Sequence, residues 1–231
     1  MSDDHIFIVL AAGKGTRMRS RKAKVMHEIA FRPMIFYPLK LALKFSNDIH
    51  LVTHPDYKDI DKYVKTHFPQ INLTYQEDRL GTGHAVNMAL PQVKSGSYVY
   101  IIYGDTPFIK EDIITALGAK LDDSHGLALV GFTAKSGAEY GRLISDGDKL
   151  LGIIENSEAS DEEKKICLYN SGIMAVRGEH LLKYIPQLSN DNSKSEYFLT
   201  DLITLLVKGG ISASYITCLE EDVLGVNSKA E

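Results

Sequence analysis

Short apolar runs alternate with longer stretches of helical period through the first half of the chain. The run Ile6-Phe7-Ile8-Val9-Leu10-Ala11-Ala12 is apolar at every position, the pattern of a strand covered on both faces, and residues 5–12 are predicted as the first strand. Residues 33–45 carry Met34, Leu39, Leu41, Ala42 and Phe45 at helical spacing behind a proline suited to a first turn. Strands are predicted over 49–53, 71–75, 97–103 and 127–132, and helices over 56–67, 83–90 and 110–121. Repeated β-α-β units predict a doubly wound α/β fold with a mostly parallel sheet, whose ligands bind at the carboxyl ends of strands.

The second half is less regular. Residues 142–154 and 166–177 read as strands on either side of a polar excursion over 156–165. Helices follow over 178–185 and 197–208, and a late strand over 211–218. This predicts an appended lobe or hairpin that walls off a substrate beside the sheet. No internal repeat or low-complexity segment interrupts the chain. The last residues, 227–231, add no closing element, so the expected division is one domain over 1–227 and the start of a linker to an absent C-terminal domain over 228–231.

A length of 231 residues is ample for one large α/β domain. Lys and Arg number 26 against 30 Asp and Glu, a net charge of −4, which argues against a nucleic-acid binder. No basic leader precedes the first apolar run and no stretch approaches a membrane span, so the expected location is cytoplasmic. The mixed-sign run 161–165 reads as a solvated helix start. The two cysteines, Cys167 and Cys218, have no metal spacing, and their apolar flanks predict buried free thiols. His50 and His54 have the spacing of a helical zinc pair, but the segment is strand-like and Pro55 follows it.

Three segments carry chemistry. In Gly13-Lys14-Gly15-Thr16-Arg17, after the first strand, the glycines let backbone N–H groups approach an anion, and Arg17 and Lys24 bring two cations to the same mouth. Neither the dinucleotide fingerprint nor the P-loop fits, because Met18 stands where a third glycine belongs and Thr16 follows Gly15. Asp105, in Tyr103-Gly104-Asp105-Thr106-Pro107, ends a strand; it either shapes the turn or holds Mg²⁺, which takes one or two carboxylates and completes its shell with phosphate and water. Gln76 to Ala85 joins a strand to a helix. Gln76 and Thr82 there offer groups matched to a planar base edge, although Thr82 could equally cap the helix. Tyr140-Gly141-Arg142, Glu155, Asn170-Ser171-Gly172 and Asn227 add mostly neutral hydrogen-bonding groups and one carboxylate, a set suited to a hydroxyl-rich ligand such as a sugar.

In order and spacing these blocks resemble the sugar-phosphate nucleotidyltransferases. Among them, the chain is most similar to the N-terminal uridylyltransferase domain of the bifunctional bacterial N-acetylglucosamine-1-phosphate uridylyltransferase/glucosamine-1-phosphate acetyltransferases. The likeness runs through Leu10 to Met18, Gln76 with Leu80 to Ala85, Tyr103 to Pro107, Tyr140 to Arg142, Asn170 to Met174, Glu196 to Asp201 and Gly225 to Asn227. It implies a Rossmann-like sheet with a smaller β-containing sugar-binding lobe, the nucleotide-diphospho-sugar transferase fold. The implied reaction joins UTP and N-acetylglucosamine 1-phosphate to give UDP-N-acetylglucosamine and pyrophosphate, a cytoplasmic supply for peptidoglycan and lipopolysaccharide synthesis. By the same resemblance Arg17 and Lys24 are the catalytic cations, and Asp105 and Asn227 hold Mg²⁺. Leu10, Ala11, Ala12, Gly13, Gln76, Gly81 and Thr82 hold the nucleotide, while Tyr103, Gly104, Gly141, Glu155 and Asn170 hold the sugar or ribose. The fragment is expected to be monomeric and the full-length protein trimeric through the absent acetyltransferase half. Three positions depart from the family pattern: Ala23 replaces a proline, Phe31 a glycine, and Ser157 a basic residue. The alternatives are another nucleotide or hexose 1-phosphate, or a weakened paralogue that binds nucleotide sugar without turnover.

Overall fold

The computed structural model describes residues 4–18, 20, 22–121, 125–134, 140–156 and 158–226. Its strands are β1 (His5–Leu10), β2 (Glu28–Ile29), β3 (Arg32–Pro33), β4 (Asp48–Thr53), β5 (Asn72–Tyr75), β6 (Tyr98–Tyr103), β7 (His125–Thr133), β8 (Arg142–Asp146), β9 (Lys149–Ile154), β10 (Leu168–Arg177) and β11 (Ser212–Cys218). The helices are α1 (Phe36–Ala42), α2 (Lys58–His67), α3 (Thr82–Ala89), α4 (Glu111–Lys120), α5 (Gly178–Tyr184) and α6 (Asp201–Lys208). Apart from the β2–β3 hairpin, the described strands form one sheet in the order β5-β4-β1-β6-β10-β7-β11-β9-β8.

The first four strands of that order are parallel, and the chain steps from β1 to β4 and β5 on one side before crossing to β6 on the other. β10 then lies antiparallel to both β6 and β7, and the β8–β9 hairpin extends the far edge through β11. Side-chain alternation along β1 sorts the core into two layers. Phe7 and Val9 pack with α1, α2 and α4 residues such as Leu39, Ile60 and Ile114, and Ile6, Ile8 and Leu10 pack with α3, α5 and α6 residues such as Val86, Leu181 and Leu202. That double cover explains why β1 reads as a continuous apolar run.

The departures from sequence expectation have local causes. The first helix starts at Phe36 rather than 33, because Arg32 and Pro33 pair with β2. The segment 142–154 is two strands, broken at Gly147, whose φ of +56° makes the turn. The last helix starts at Asp201 rather than 197, because the backbone of Tyr197 is bound to Leu80 and Gly83 instead. The cysteines are not buried as expected: Cys167 precedes β10 and is exposed, and Cys218, the last residue of β11, is half-buried. Among the described residues no helix is long and apolar enough to cross a membrane.

Candidate active site

Leu10 and Tyr103, the last residues of β1 and β6, are register partners at the point where the strand order reverses. The chain leaving β1 is held on both sides: Ala11 N–H donates to the Val52 carbonyl of β4 (2.8 Å), and the Leu10 carbonyl accepts from Gly104 N–H (2.9 Å). A side chain at Gly104 would press against Ala11 and Val25 at 3.2 Å, so a glycine permits this close approach. Outside these strand ends lies a cavity of about 420 Å³. Ten of the expected site residues line it: Leu10, Ala11, Ala12, Gly13, Gln76, Gly81, Thr82, Lys24, Tyr103 and Asp105.

The loop after β1 folds back on itself. Gly15 has φ +58°, and a Cβ there would lie 2.7 Å from Lys24 Cβ, so the glycine lets the two segments touch. Ala23 is buried with φ −54° and ψ 139°, close to the dihedrals a proline would impose, so the backbone before Lys24 keeps that shape without the ring. Lys24 Nζ donates to Asp105 Oδ2 in a partly buried ion pair that joins the loop to the end of β6. Arg17 sits exposed on the single turn Thr16–Met18 and is not among the cavity-lining residues, whereas its neighbours Lys14 and Thr16 are. Arg79, Tyr57 and Glu196 complete this wall or brace it. Arg79 Nε donates to the Ala12 carbonyl (2.7 Å) and its guanidinium lies over the Tyr57 ring, while Tyr57 OH donates to the Gly13 carbonyl (3.0 Å). The reading of the sequence passed over Lys14, Thr16 and Arg79, although Lys14 lies between the two glycines and Arg79 lies inside the Gln76–Ala85 block.

The opposite wall is built at the start of α3. Gln76 is buried, and its N–H donates to Thr53 O at the end of β4 (2.8 Å). Its side-chain Nε2 donates to the Gly81 carbonyl (3.1 Å) and lies 3.0 Å from His84 Nδ1. Gly81 has φ +105° and runs against Tyr197, whose carbonyl accepts from Gly83 N–H (2.8 Å). Thr82 Oγ1 accepts from Leu199 N–H (3.2 Å), so it serves the tertiary structure rather than capping its own helix.

A second group gathers behind Tyr103. Gly172, at φ +83° in a bulge of β10, abuts the Tyr103 ring, and its N–H donates to Asn170 Oδ1 (2.7 Å). Asn170 N–H donates in turn to the Gly141 carbonyl (2.8 Å), and Gly141 faces Glu155. Burial, and then the charges of Asp105 and Glu155, push the Tyr103 phenol well above its usual value, so it stays protonated and can donate. Burial also raises the Glu155 carboxyl; Lys194 and a 3.5 Å hydrogen bond from Thr200 oppose that shift. Gly141, Glu155 and Asn170 are thus linked to the cavity through Tyr103, which lies between the two groups.

Asn227 and Ser157 lie outside the described residues. Val226 N–H donates to the Asp105 carbonyl (3.0 Å), which carries the chain past Asp105 just before that position. Among the described residues no three His, Cys, Asp or Glu side chains gather to hold a metal. Asp105 is a single half-buried carboxylate opening on the cavity, a donor set that fits an ion completed by phosphate and water.

Comparison with known proteins bears on this geometry. The MobA-like NTP transferase domain matches residues 7–194. Bifunctional protein GlmU of Parvibaculum lavamentivorans is 36% identical over 226 residues, 97% of this chain and 50% of that protein. Its namesake from Rhodopseudomonas palustris is 39% identical over the same shares. The chain therefore spans about half the length of these curated relatives. In fold it is similar to the inositol-1-phosphate CTP transferase from T. maritima (TM-score 0.77, 17% identity, 100% of this chain and 91% of that one). It is also similar to a putative glucose-1-phosphate thymidylyltransferase from Bacillus anthracis (TM-score 0.76, 19% identity, 98% and 91%).

Proposed function

The chain belongs to the MobA-like NTP transferase domain family and is a nucleotidyltransferase, and on that premise we propose that it makes UDP-N-acetylglucosamine and pyrophosphate from UTP and N-acetylglucosamine 1-phosphate. One observation carries the reading: a single cavity holds a buried amide, Gln76, on one wall and the Lys24–Asp105 pair at another. A nucleoside triphosphate laid across it sets its base against Gln76 and the backbone of Gly81, and its phosphates toward Lys24, Arg17 and the glycine loop. The sugar phosphate oxygen attacks the α-phosphorus in line, and pyrophosphate leaves. This nucleophile is already ionised, so no general base is required, and rate comes from alignment and charge neutralisation. Asp105 and Asn227 would hold magnesium, which would supply further neutralisation of the phosphate charge. Tyr103, as a donor, and Glu155 and Asn170 meet the sugar hydroxyls or the ribose.

The test is pyrophosphate release from UTP, Mg²⁺ and N-acetylglucosamine 1-phosphate, run beside CTP, dTTP and other hexose 1-phosphates. Release greatest with the named pair supports the reading. Greater release with another sugar or nucleotide overturns that specificity, and tight UDP-sugar binding with no release under any condition overturns the enzymatic role.

A further inference from the structure

The side-chain amide of Gln76 is held by two protein groups, Gly81 and His84. The Gly81 carbonyl can only accept, so the amide atom facing it at 3.1 Å must be nitrogen; the reverse orientation would oppose two oxygens. The same nitrogen has a second hydrogen, and His84 Nδ1 lies 3.0 Å from it. That hydrogen bond requires a lone pair on Nδ1, so the ring proton resides on Nε2. Both donors of Gln76 are then engaged by the protein, and the amide atom left for a ligand in the cavity is Oε1. His84 is held in turn: its ring stacks on Tyr197 with centroids 6.2 Å apart, and it sits in the first turn of α3.

We propose that His84 is a positioning residue for base recognition. By accepting from Gln76 it fixes the amide so that only an oxygen faces the nucleotide. An acceptor at that point favours a base that offers a ring N–H beside its carbonyls, such as uracil, over cytosine, whose ring nitrogen at the same place is itself an acceptor. This rests on the uridylyl reading above and assigns its base selectivity to a residue behind the cavity wall. Without His84 the amide loses one of the two partners that set its sense. The turned amide, with its NH₂ toward the cavity, is then opposed only by the Gly81 carbonyl facing its oxygen and no longer also by the lost bond to His84, so it is populated more often, which penalises UTP and admits CTP.

The experiment compares kcat and KM for UTP and CTP in the wild-type chain, His84→Ala and His84→Asn, with thermal melts of each. His84→Ala is expected to lower the UTP-to-CTP ratio of kcat/KM by about tenfold, the worth of one such hydrogen bond. The change should fall mainly in KM, with an absolute gain in CTP use that mere loosening of the fold would not give. His84→Asn can offer a carboxamide oxygen near the position of Nδ1 and is expected to restore the ratio. Should His84→Ala fail to fold, His84→Leu removes the acceptor while filling the space. A folded Ala or Leu variant with the wild-type ratio overturns the proposal, as does a folded His84→Asn that is as unselective as the alanine variant. A wild-type chain without preference for UTP overturns instead the uridylyl reading on which the proposal rests.

Discussion

The two halves of the sheet contribute to the site in different ways. In the parallel half, β5, β4, β1 and β6 end at the same edge, so their main chains converge there. The wall they make rests on close-packed main chain: Leu10, Ala11, Gly13 and Gly81 line the cavity, Gly15 packs against Lys24 and Gly104 against Ala11 and Val25, and the side chains of Lys24, Gln76 and Asp105 stand on that frame. In the other half β10 runs against both of its neighbours, so fewer strand ends reach the site, and side chains such as Asn170, aimed by a bulge, and Glu155, after β9, contribute instead. A site made of backbone fails when a Cβ is added. A site made of side chains can lose its members one at a time.

The largest effect expected is on chemistry. Lys24→Ala removes the cation that reaches from the loop to Asp105, and kcat for pyrophosphate release should fall by about 10²–10³, by analogy with loss of one oxyanion-stabilising donor. A Lys24→Ala enzyme with near-normal turnover would end the idea of a charged clamp in the parallel half. Next comes Gly81→Ala. Its φ of +105° is unsuited to an L side chain, and the new Cβ would meet the Tyr197 carbonyl at 2.6 Å, a backbone atom that cannot swing away. We expect a loss of about 1–3 kcal/mol in denaturant titration, together with weakened nucleotide binding. An unchanged midpoint and affinity would show that this wall tolerates bulk after all.

Glu155→Gln sharpens the contrast from the other side. Burial raises the Glu155 carboxyl above its ordinary 4.5, so the folded chain holds that proton more tightly than the unfolded chain does. Its contribution to stability is fully present below that ordinary value and is lost as pH rises through the folded one. The melting temperature of Glu155→Gln should therefore match wild type in acid and exceed it at neutral pH, while KM for the sugar phosphate rises by about tenfold for a lost hydrogen bond. Superimposed melting curves at every pH would remove the burial argument, and an unchanged KM would take Glu155 out of the sugar subsite.

This division also explains what could be read from the sequence. The apolar run of β1, the glycines after it and the regular β-α-β alternation made the parallel half legible, with element ends wrong by a few residues where tertiary bonds intervened, as at Tyr197. Ten cavity residues lay in motifs that a strand-end ligand site requires. The Lys24–Asp105 pair joins positions far apart in sequence, and the bracing of Ala12 and Gly13 by Arg79 and Tyr57 depends on loops meeting in space. No local pattern encodes such contacts. In the second half the hairpin at Gly147 does carry a local signal, the polar Asp146-Gly147 pair between two strand-like segments, which a single long strand over 142–154 leaves unused. Cys167 was misplaced because apolar neighbours say little about burial at the entry to a strand.

The smallest effect expected separates strain from function in the small β2–β3 hairpin that stands apart from the main sheet. Ala30 and Phe31 form the tip of the β2–β3 hairpin with φ of 48° and 65°, a turn built from two left-handed residues that glycine or asparagine would adopt more readily. The departure at Phe31 does not crowd the turn, because the ring is 95% exposed; its penalty lies in the backbone. Removing an exposed ring forfeits little burial, so Phe31→Gly should stabilise the chain by up to about 1 kcal/mol by relieving the left-handed conformation, less the entropy glycine gains when unfolded. Pyrophosphate release should be unchanged, since neither residue lines the cavity. A stabilised variant with normal turnover would mean that positive φ matters to function only where, as at Gly81, it shapes the cavity wall or, as at Gly15, it packs the loop against Lys24. A loss of turnover would show that the hairpin tip belongs to the working surface.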